Sequence, residues 1–330
     1  MAQAFSLWTR NTRNEVHTAN STTRPTASPL AAVPTALADI KIAHSVFALP
    51  FALLAAALAL PRDITAATTT SLVILVVICM VLARTWAMLV NRLADHRFDA
   101  DNPRTAHRAV ASGRLSPRAG WTIASATAAL FIAPRARFLP RSAHPWPVAL
   151  AVPVLAWIAL YSYTKRFTAL SHLFLGSALA LSPIAALLAV NPAALATTDV
   201  GLPVVLIALF VLLWVAGFDV AYALQDLDFD RRTGLRSIPA ALGTNGALFS
   251  SRLMHAAAFA ALALAWLASP VLATAFALAL ALTLAALITE HIVLHTQGVK
   301  GLPIAFFTLN GLISIAIAAA AITDVLLARS

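Results

Sequence analysis

The sequence predicts an all-α fold, a polytopic transmembrane bundle of about nine helices. Hydrophobic residues make up 60% of the 330 residues and charged residues only 11%, whereas soluble domains carry about a quarter charged residues. The apolar residues fall into repeated stretches of about 20, the length that crosses a bilayer core of roughly 30 Å as a helix. Helices of this length satisfy their own backbone polar groups in lipid, which favours a helical bundle.

The apolar stretches, separated by proline, glycine or charged residues, predict the helices in chain order. Pro50, Pro153 and Pro183 fall inside stretches, where neighbouring helices or a cavity take up the freed carbonyl groups. We therefore expect kinks at these prolines. The predicted stretches are residues 42–60, 67–90, 117–133, 147–162, 169–190, 202–225, 247–268, 270–289 and 302–327.

Residues 1–37 are expected to form a disordered cytoplasmic tail, followed by a transmembrane domain over residues 38–330. Ser, Thr, Asn, Ala and Pro dominate this segment, and it shows no sustained hydrophobic period. Such a composition buries too little apolar surface to offset the entropy of folding. Its Arg, Ser and Thr bias with few acidic residues also fits an organellar transit peptide, so that alternative stays open.

The distribution of positive charge predicts the orientation in the membrane. With nine spans and a cytoplasmic N-terminus, most Lys and Arg residues fall on the cytoplasmic side, as the positive-inside rule requires. Orientation thus accounts for the net charge of +10, and no nucleic-acid partner is expected. The charged segments 91–108, 161–167 and 219–237 share the cytoplasmic face. We expect an integral protein of the bacterial inner (plasma) membrane with its functional site facing the cytoplasm.

A first acidic motif, Asn91, Asp95 and Asp99, ends the second stretch in the segment "NRLADHRFDADNPRTAHR". On a helix continuing from that stretch, residues four apart form one polar stripe. Neighbouring carboxylates repel each other unless a cation lies between them, and such hard oxygen ligands suit Mg²⁺, which substrate phosphates commonly complete. The alternative is a solvated helix end whose aspartates pair with arginines, an ordinary and energetically small contact.

A second acidic motif repeats this pattern in the segment "DVAYALQDLDFDRRTGLRS". Asp226 and Asp230 are four residues apart, and Asp219 lies one heptad earlier in an apolar stretch, where an ionisable residue is a functional candidate. Both segments run from Phe-Asp into Arg-Thr-x-x-Arg, which indicates an internal duplication. Facing acidic stripes would let divalent metals bridge carboxylates to a diphosphate, with arginines on the remaining oxygens. The candidate arginines are Arg104, Arg108, Arg232 and Arg236.

Two shorter motifs add candidate binding residues. Tyr161 and Lys165, four residues apart, place a phenol and an ammonium near the same membrane face. They would hold phosphate oxygens and stabilise developing charge, or else belong to an interfacial aromatic belt. Lys41 begins the first stretch and is a candidate for binding the acidic group of a second, smaller substrate. It would equally serve as a lysine that snorkels to the interface.

These motifs resemble those of the UbiA superfamily of membrane-embedded aromatic prenyltransferases. The family patterns Asn-x-x-x-Asp-x-x-x-Asp, Tyr-x-x-x-Lys and Asp-x-x-x-Asp occur here in that order. The stretches "IKIAHSVFALPFA" and "YSYTKRFTALSH" are similar to the 4-hydroxybenzoate polyprenyltransferase branch, and within it to the subgroup of the futalosine route to menaquinone. The matching residues are Asn91, Asp95 and Asp99, then Tyr161 and Lys165, then Asp226 and Asp230.

The resemblance implies a bundle around a central cavity and Mg²⁺-dependent transfer of a polyprenyl group from polyprenyl diphosphate to an aromatic hydroxy acid in quinone biosynthesis. Dihydroxynaphthoate and 4-hydroxybenzoate both remain open as acceptors. Asp95, Asp99, Asp226 and Asp230 would hold Mg²⁺, supported by Asn91 and Asp219. Arg104, Arg108, Lys165 and Arg232 or Arg236 would hold the diphosphate, with Tyr161 at the reacting carbon and Lys41 on the acceptor.

Two other classes compete with this interpretation. A CDP-alcohol phosphotransferase is also a membrane enzyme that uses aspartate and Mg²⁺, but its aspartates lie in one continuous motif, whereas two distant segments carry them here. A transporter would place its polar site near the bilayer midplane on broken helices. The carboxylates of this chain cluster instead at one predicted membrane surface.

Overall fold

The computed structural model describes residues 29–40, 47–133 and 146–329, which form helices and turns without a strand. Seven helical segments among them are long and apolar enough to cross a membrane. Every predicted apolar stretch contains a helix. Those of the first and third stretches, Leu49–Ala59 and Pro117–Ile132, are not among the seven and are shorter than a full span over their described residues. The predicted all-α transmembrane bundle is therefore confirmed, and the chain is an integral membrane protein.

Thirteen α-helices make up the described chain, and they are numbered in chain order. They are α1 (Pro29–Asp39), α2 (Leu49–Ala59), α3 (Ala66–Ala94), α4 (His96–Asp101), α5 (Pro117–Ile132), α6 (Trp146–Ala149), α7 (Ala151–Thr164), α8 (Ser171–Val190), α9 (Gly201–Tyr222), α10 (Leu227–Thr233), α11 (Ile238–Ala268), α12 (Thr274–Gln297) and α13 (Asn310–Leu327). A 3₁₀ segment, Ala223–Asp226, joins α9 to α10, and a π-helical segment, Ile304–Leu309, precedes α13.

Helix α9 lies at the centre of the bundle. It is apolar on all faces and two-thirds of its most apolar window is buried, as expected of a helix surrounded by others. Trp214 stacks on Phe210 with ring centroids 5.5 Å apart, and both side chains are fully buried. Gly176 of α8 lies directly against the backbone of Leu212, where a Cβ atom would collide. This small residue lets α8 and α9 pack closely in a membrane bundle.

Local sequence explains where several helices begin. The side chains of Thr65 and Ser116 accept hydrogen bonds from the backbone N–H groups of Thr68 and Ala119, which caps α3 and α5. Ser237 caps α11 in the same way. Each cap satisfies a backbone donor that the first helical turn leaves unpaired. The starts of α5 and α11 lie at the cytoplasm-facing end of the predicted topology, and the start of α3 lies at the opposite end.

The acidic segments are not the continuous helices that we expected. Helix α3 ends at Ala94, and Asp95 has φ −97° and ψ 7° before α4 begins. Asp226 shows nearly the same break, with φ −104° and ψ 4°. These angles fall in the bridge region, where many active-site residues lie. The hydrogen bond from Asp99 N–H to Asp95 O, 2.8 Å, keeps the four-residue spacing across the break.

The end of the expected disordered tail also differs from the prediction, because residues 29–37 belong to α1. Ala32, Ala36 and Ile40 recur every four residues and are buried in a cluster that contains Leu93 and Leu115. Such a stripe makes one face of a helix apolar. The composition of residues 1–37 as a whole concealed this short periodic segment at its end.

Candidate active site

A polar cavity with about 1010 Å³ of empty space lies where the segments after α3, α7 and α9 meet. Of the residues that the sequence singled out and the structure describes, all but Arg232 and Arg236 lie in its wall. The predicted residues that line it are Asn91, Asp95, Asp99, Arg104, Arg108, Tyr161, Lys165, Asp219, Asp226 and Asp230. Three segments far apart in sequence therefore form one site.

Arg232 and Arg236 lie outside the polar cavity, contrary to the prediction. Arg232 Nε donates to the carbonyl oxygen of Asp228 (3.2 Å), and Arg236 Nη1 donates to that of Phe167 (2.9 Å). Gly234, with φ +73°, ends α10 in a left-handed conformation that favours glycine. Arg232 therefore bonds within its own helix, and Arg236 bonds to the segment that follows α7. Lys41 lies outside the described residues.

The aspartates of the first motif are each paired with an arginine. Arg108 Nη1 donates to both carboxylate oxygens of Asp99, at 2.7 and 2.9 Å. Arg166 Nη2 donates to Asp95 Oδ1 at 3.2 Å, and Asn91 Nδ2 donates to Asp95 Oδ2 at the same distance. Burial, together with the neighbouring Asp99 carboxylate, raises the pKa of Asp95 to about 6. Asp95 therefore holds its proton to a higher pH than an ordinary aspartate does.

Arg104 connects the two acidic motifs. It follows the first motif in sequence, yet its Nε and Nη2 atoms donate to the two carboxylate oxygens of Asp226, at 3.0 and 2.5 Å. Asn102 Nδ2 adds a third hydrogen bond to Asp226, at 3.1 Å. A planar guanidinium matches a carboxylate or a phosphate in this forked geometry. The two halves of the predicted duplication are thus joined across the cavity.

The start of α11 supports the other carboxylates of the second motif. Ser237 Oγ donates to Asp230 Oδ2 at 2.8 Å, and Lys165 Nζ lies 4.0 Å from the same oxygen. The N–H group of Ile238 donates to His172 Nε2, so the ring proton is on Nδ1, which donates to Asp219 Oδ2 at 2.7 Å. Both aspartates are therefore oriented by groups at one helix start.

A second, apolar cavity adjoins the polar one at Tyr161 and Leu175, which line both. Its empty space of about 1240 Å³ is bounded mainly by α3, α7 and α8. Its wall includes Leu72 and Met88 of α3, which are about 24 Å apart at 1.5 Å per helical residue. The apolar cavity therefore follows the helices through most of a bilayer core.

Arg84 is the single cation among the described residues that line the apolar cavity. Its Nε atom is buried without a hydrogen-bond partner in the described part of the chain. An unpaired buried donor is costly and invites an acceptor. Sequence reasoning missed Arg84, although an ionisable residue inside an apolar stretch is a functional signal.

Sequence reasoning also missed Asn102, Arg166 and His172, each of which contacts a predicted aspartate. The positive-inside rule already accounted for Arg166. No spacing rule linked Asn102 or His172 to the motifs. Their contacts join residues 47 to 124 positions apart. Such pairings follow from tertiary packing, which the local pattern does not encode.

Together, the bundle, its paired acidic motifs and the adjoining cavities define an intramembrane site for a ligand with a charged head and an apolar body. The model of the UbiA prenyltransferase family matches residues 48–312. The chain therefore belongs to the UbiA prenyltransferase family, which confirms the resemblance drawn from the motifs.

Solved structures share the fold. The apo UbiA homolog from Aeropyrum pernix K1 is 35% identical, with a TM-score of 0.74 over 86% of this chain and 98% of that one. The UbiA homolog from Archaeoglobus fulgidus bound to DMAPP and Mg²⁺ has a TM-score of 0.68 over 89% of this chain and 99% of that one. The second homolog is only 16% identical and supports the fold alone.

Curated relatives are named 4-hydroxybenzoate octaprenyltransferase. The relative from Azotobacter vinelandii is 32% identical over 158 residues, which is 48% of this chain and 50% of the relative. The relative from Citrobacter koseri is 28% identical over 198 residues, which is 58% of this chain and 64% of the relative. The chain thus spans about half the length of the first of these relatives.

Proposed function

We propose that the protein transfers a polyprenyl group from a polyprenyl diphosphate to an aromatic hydroxy acid, in a Mg²⁺-dependent step of quinone biosynthesis. One observation carries the proposal: the polar cavity with its acidic motifs lies next to the apolar cavity, and Tyr161 and Leu175 line both. A substrate with a highly charged head and a long isoprenoid tail needs both environments in contact. Family membership favours this activity over the phosphotransferase and transporter alternatives.

The donor set fits Mg²⁺. The cavity offers carboxylate oxygens from both motifs, but no three His, Cys, Asp or Glu side chains of the described residues converge on one metal position. Mg²⁺ usually takes one or two protein carboxylates and completes its shell with water and substrate phosphates. When bound, Mg²⁺ would supply positive charge to the diphosphate leaving group. The proposed ligands are Asp95, Asp99, Asp226 and Asp230, with Asn91 and Asp219 in support.

The cations of the cavity are placed to bind the diphosphate. Arg104, Arg108 and Lys165 contact carboxylates of the motifs, and their side chains are 32, 21 and 35% exposed. A phosphate oxygen offers these cations the same charge-assisted hydrogen bond as a carboxylate, so they can exchange one for the other. Arg104 can hold two phosphate oxygens at once because the two N–H groups of its planar guanidinium match their spacing. Arg166 lines the same cavity and belongs to this set, whereas Arg232 and Arg236 lie outside the cavity and do not.

The apolar cavity suits the isoprenoid tail and the chemical step. The allylic C–O bond breaks and its electron pair leaves with the diphosphate, so the allylic carbon becomes cationic. Tyr161 lines both cavities, and we infer that this carbon would lie beside it. The apolar wall excludes water that would otherwise capture the cation. A ring carbon of the aromatic acid then forms the C–C bond, and loss of the ring proton restores aromaticity.

Arg84 is our proposed partner for the carboxylate of the aromatic acid. It lies in the apolar cavity that also contains Tyr161, and its buried Nε atom lacks an acceptor among the described residues. A carboxylate would satisfy that donor with a charge-assisted hydrogen bond. Both 4-hydroxybenzoate and dihydroxynaphthoate carry such a group, so this contact accommodates either acceptor. Lys41 remains a prediction for the same role.

We also propose that the chain lies in a bacterial inner membrane with the polar cavity at the cytoplasmic face. Arg104, Arg108, Lys165 and Arg166 all lie at that end of the bundle, which agrees with the positive-inside rule. A cytoplasmic opening also gives the diphosphate head access to Mg²⁺ and water. Cysteine labelling from each side of the membrane at exposed Asp101 and at Arg62 would test this orientation.

The proposed activity is tested with purified protein in lipid nanodiscs, Mg²⁺ and a labelled polyprenyl diphosphate. Each aromatic acid is supplied separately, and a metal chelator serves as the negative control. We expect one acid to be prenylated, and only with Mg²⁺. Diphosphate release without prenylation of either acid would contradict the aromatic hydroxy acid as the acceptor of the prenyl group. It would not contradict the proposed metal site. No release and no prenylation under any condition would contradict the proposed function.

A further inference from the structure

Asp39, at the end of α1, contacts two residues that neighbour the first acidic motif and its arginine, Arg108. Its Oδ2 atom accepts a hydrogen bond from Arg92 Nε at 3.2 Å, and its Oδ1 atom accepts one from the backbone N–H of Ala109 at 2.9 Å. The side chains of Asp39 and Arg92 are only 11 and 10% exposed. Asp39 precedes residues 48–312, which the family model matches. A carboxylate outside the matched region is therefore bonded to two points beside the site.

Arg92 connects Asp39 to Asp95 through the side chain of Asn91. Arg92 Nη1 donates to Asn91 Oδ1 at 2.9 Å, and Asn91 Nδ2 donates to Asp95 Oδ2 at 3.2 Å. An amide side chain has an acceptor on one side and donors on the other. Because Arg92 binds the oxygen of Asn91, the nitrogen must face Asp95. Without Arg92 the amide would be free to turn its oxygen toward the carboxylate, which repels it.

The second bond of Asp39 acts on the other aspartate of the motif. Ala109 directly follows Arg108, and Arg108 donates two hydrogen bonds to Asp99. Fixing the N–H group of Ala109 therefore fixes the backbone from which Arg108 reaches Asp99. Both carboxylates of the first motif are thus linked to Asp39, one through Arg92 and Asn91 and the other through the backbone.

We propose that Arg92 and Asp39 are positioning residues that set the geometry of the first acidic motif for Mg²⁺. Arg92 orients the amide of Asn91, and Asp39 holds Arg92; neither touches the substrate. The inference rests on the proposed function, because it concerns the metal site of that reaction. Arg92 thereby has a role beyond membrane orientation, and α1 contributes to the site from outside the family-matched region.

The test measures the Mg²⁺ concentration that gives half-maximal binding of a non-reactive prenyl thiodiphosphate, by calorimetry, together with the melting temperature. Arg92→Gln should raise this concentration about tenfold or more, as loss of a group that orients a metal ligand commonly does. Arg92→Lys should not restore the wild-type value, because an ammonium cannot span Asp39 and Asn91 as a planar fork does. Asp39→Asn keeps an acceptor for Ala109 and should cause a smaller rise.

Asp324 provides a matched structural control. It is a buried carboxylate that accepts hydrogen bonds from the N–H groups of Ala273, Ala275 and Phe276 at the start of α12, and it does not line the polar cavity. Asp324→Asn should lower the melting temperature and leave the Mg²⁺ titration at its wild-type value. The double variant Asp39→Asn/Arg92→Gln should shift the titration no further than Arg92→Gln, because Asp39 acts through Arg92.

The outcomes separate this inference from the proposed function. Wild-type titrations in the Arg92 and Asp39 variants, with only the melting temperature lowered, would show a purely structural ion pair and overturn the inference alone. Fully additive shifts in the double variant would also overturn it. Absence of Mg²⁺-dependent binding in the wild-type protein would overturn the proposed function and this inference with it. If Arg92→Gln does not fold, the Mg²⁺ titration of the near-isosteric variant Asp39→Asn tests the inference: a rise supports it, and a wild-type value overturns it.

Discussion

The two acidic motifs repeat one residue pattern, yet the protein holds them in different ways. In the first motif, Asp95 is paired with Arg166 and its side chain is 25% exposed. In the second, Asp230 is bonded to the hydroxyl of Ser237 and its side chain is 2% exposed. Partly exposed ion pairs rearrange at little cost, whereas moving a buried hydrogen-bonded carboxylate is expensive. Asp99 and Asp226 are alike, since each is bonded to an arginine and their side chains are 9 and 10% exposed. The difference lies in Asp95 and Asp230, and because of it we call the first motif the adjustable half of the site and the second the fixed half.

The difference explains why one arginine joins the halves. Arg104 belongs to the first segment but forks onto Asp226 of the second. The adjustable half thus provides a cation, Arg104, that can move to a diphosphate, and the fixed half provides the carboxylate, Asp226, from which it is released. A site with both halves rigid would lack cations free to follow the substrate.

The largest effect is expected when either half loses a metal-binding carboxylate. Asp95→Ala and Asp226→Ala should each reduce Mg²⁺-dependent prenyl transfer by more than about a hundredfold, because charge stabilisation of the leaving group depends on the metal. Steady-state transfer by folded protein is the measurement. Asp101→Ala and Asp228→Ala are matched controls, since both side chains belong to exposed residues outside the cavity. Full activity in Asp95→Ala would contradict the metal assignment.

Arg104→Lys should produce the next largest loss. Lysine keeps the charge but not the fork, so we expect kcat/KM for the prenyl diphosphate to fall about tenfold to a hundredfold. Arg108→Lys is the comparison, because Arg108 binds Asp99 within its own segment and does not join the halves. An equal or smaller loss in Arg104→Lys than in Arg108→Lys would contradict the bridging role.

Arg84→Gln tests whether the aromatic acid binds in the apolar cavity, away from both halves of the polar site. We expect KM for the aromatic acid to rise about tenfold, because a charge-assisted hydrogen bond to its carboxylate is lost. Mg²⁺-dependent binding of a prenyl thiodiphosphate should remain, since Arg84 does not line the polar cavity. A rise in the diphosphate Kd with no change in KM for the acid would reverse this assignment.

The smallest expected effect is a pH dependence that arises in the adjustable half. The pKa of Asp95 is raised to about 6, and Mg²⁺ binds the deprotonated carboxylate. The half-saturating Mg²⁺ concentration should therefore be flat above about pH 7 and rise as the pH falls below 6, by up to about tenfold per pH unit for one proton. Calorimetric titrations at several pH values would show this.

The same titration has an internal control. The positive charge of Arg166 lowers the pKa of Asp95, so Arg166→Gln should raise that pKa further. The pH at which Mg²⁺ binding weakens should then move upward. A downward shift, or none, would contradict the assignment of the pH dependence to Asp95.

Much of the fold followed from local sequence. Apolar length predicted the spans because the bilayer fixes the length of a helix that crosses it. The four-residue spacing predicted the acidic stripes because i and i+4 share a helix face. The bends at Asp95 and Asp226 were missed, since a single turn in the bridge region leaves that spacing unchanged. Helix α1 was missed because its short stripe lies in a polar segment.

The sequence predicted the site residues that lie within one segment. It did not predict the contacts that packing forms between distant segments. The sequence repeat suggested that Arg232 and Arg236 match Arg104 and Arg108, but Arg232 follows Asp230 by only two residues, whereas Arg104 follows Asp99 by five. The repeat in sequence therefore ends, in structure, at Asp230. The bond from Arg104 to Asp226 spans 122 positions, and no local rule selects such a partner.

The central claim is that both acidic motifs form one Mg²⁺-diphosphate site. Its most direct test is the Mg²⁺-dependent Kd of a non-reactive prenyl thiodiphosphate for the wild type, Asp95→Asn, Asp226→Asn and the double variant. We expect each single replacement to weaken binding by about a hundredfold and the double variant to lose much less than the sum, because residues of one site couple. Wild-type binding by either single variant, or losses that simply add, would contradict a shared site.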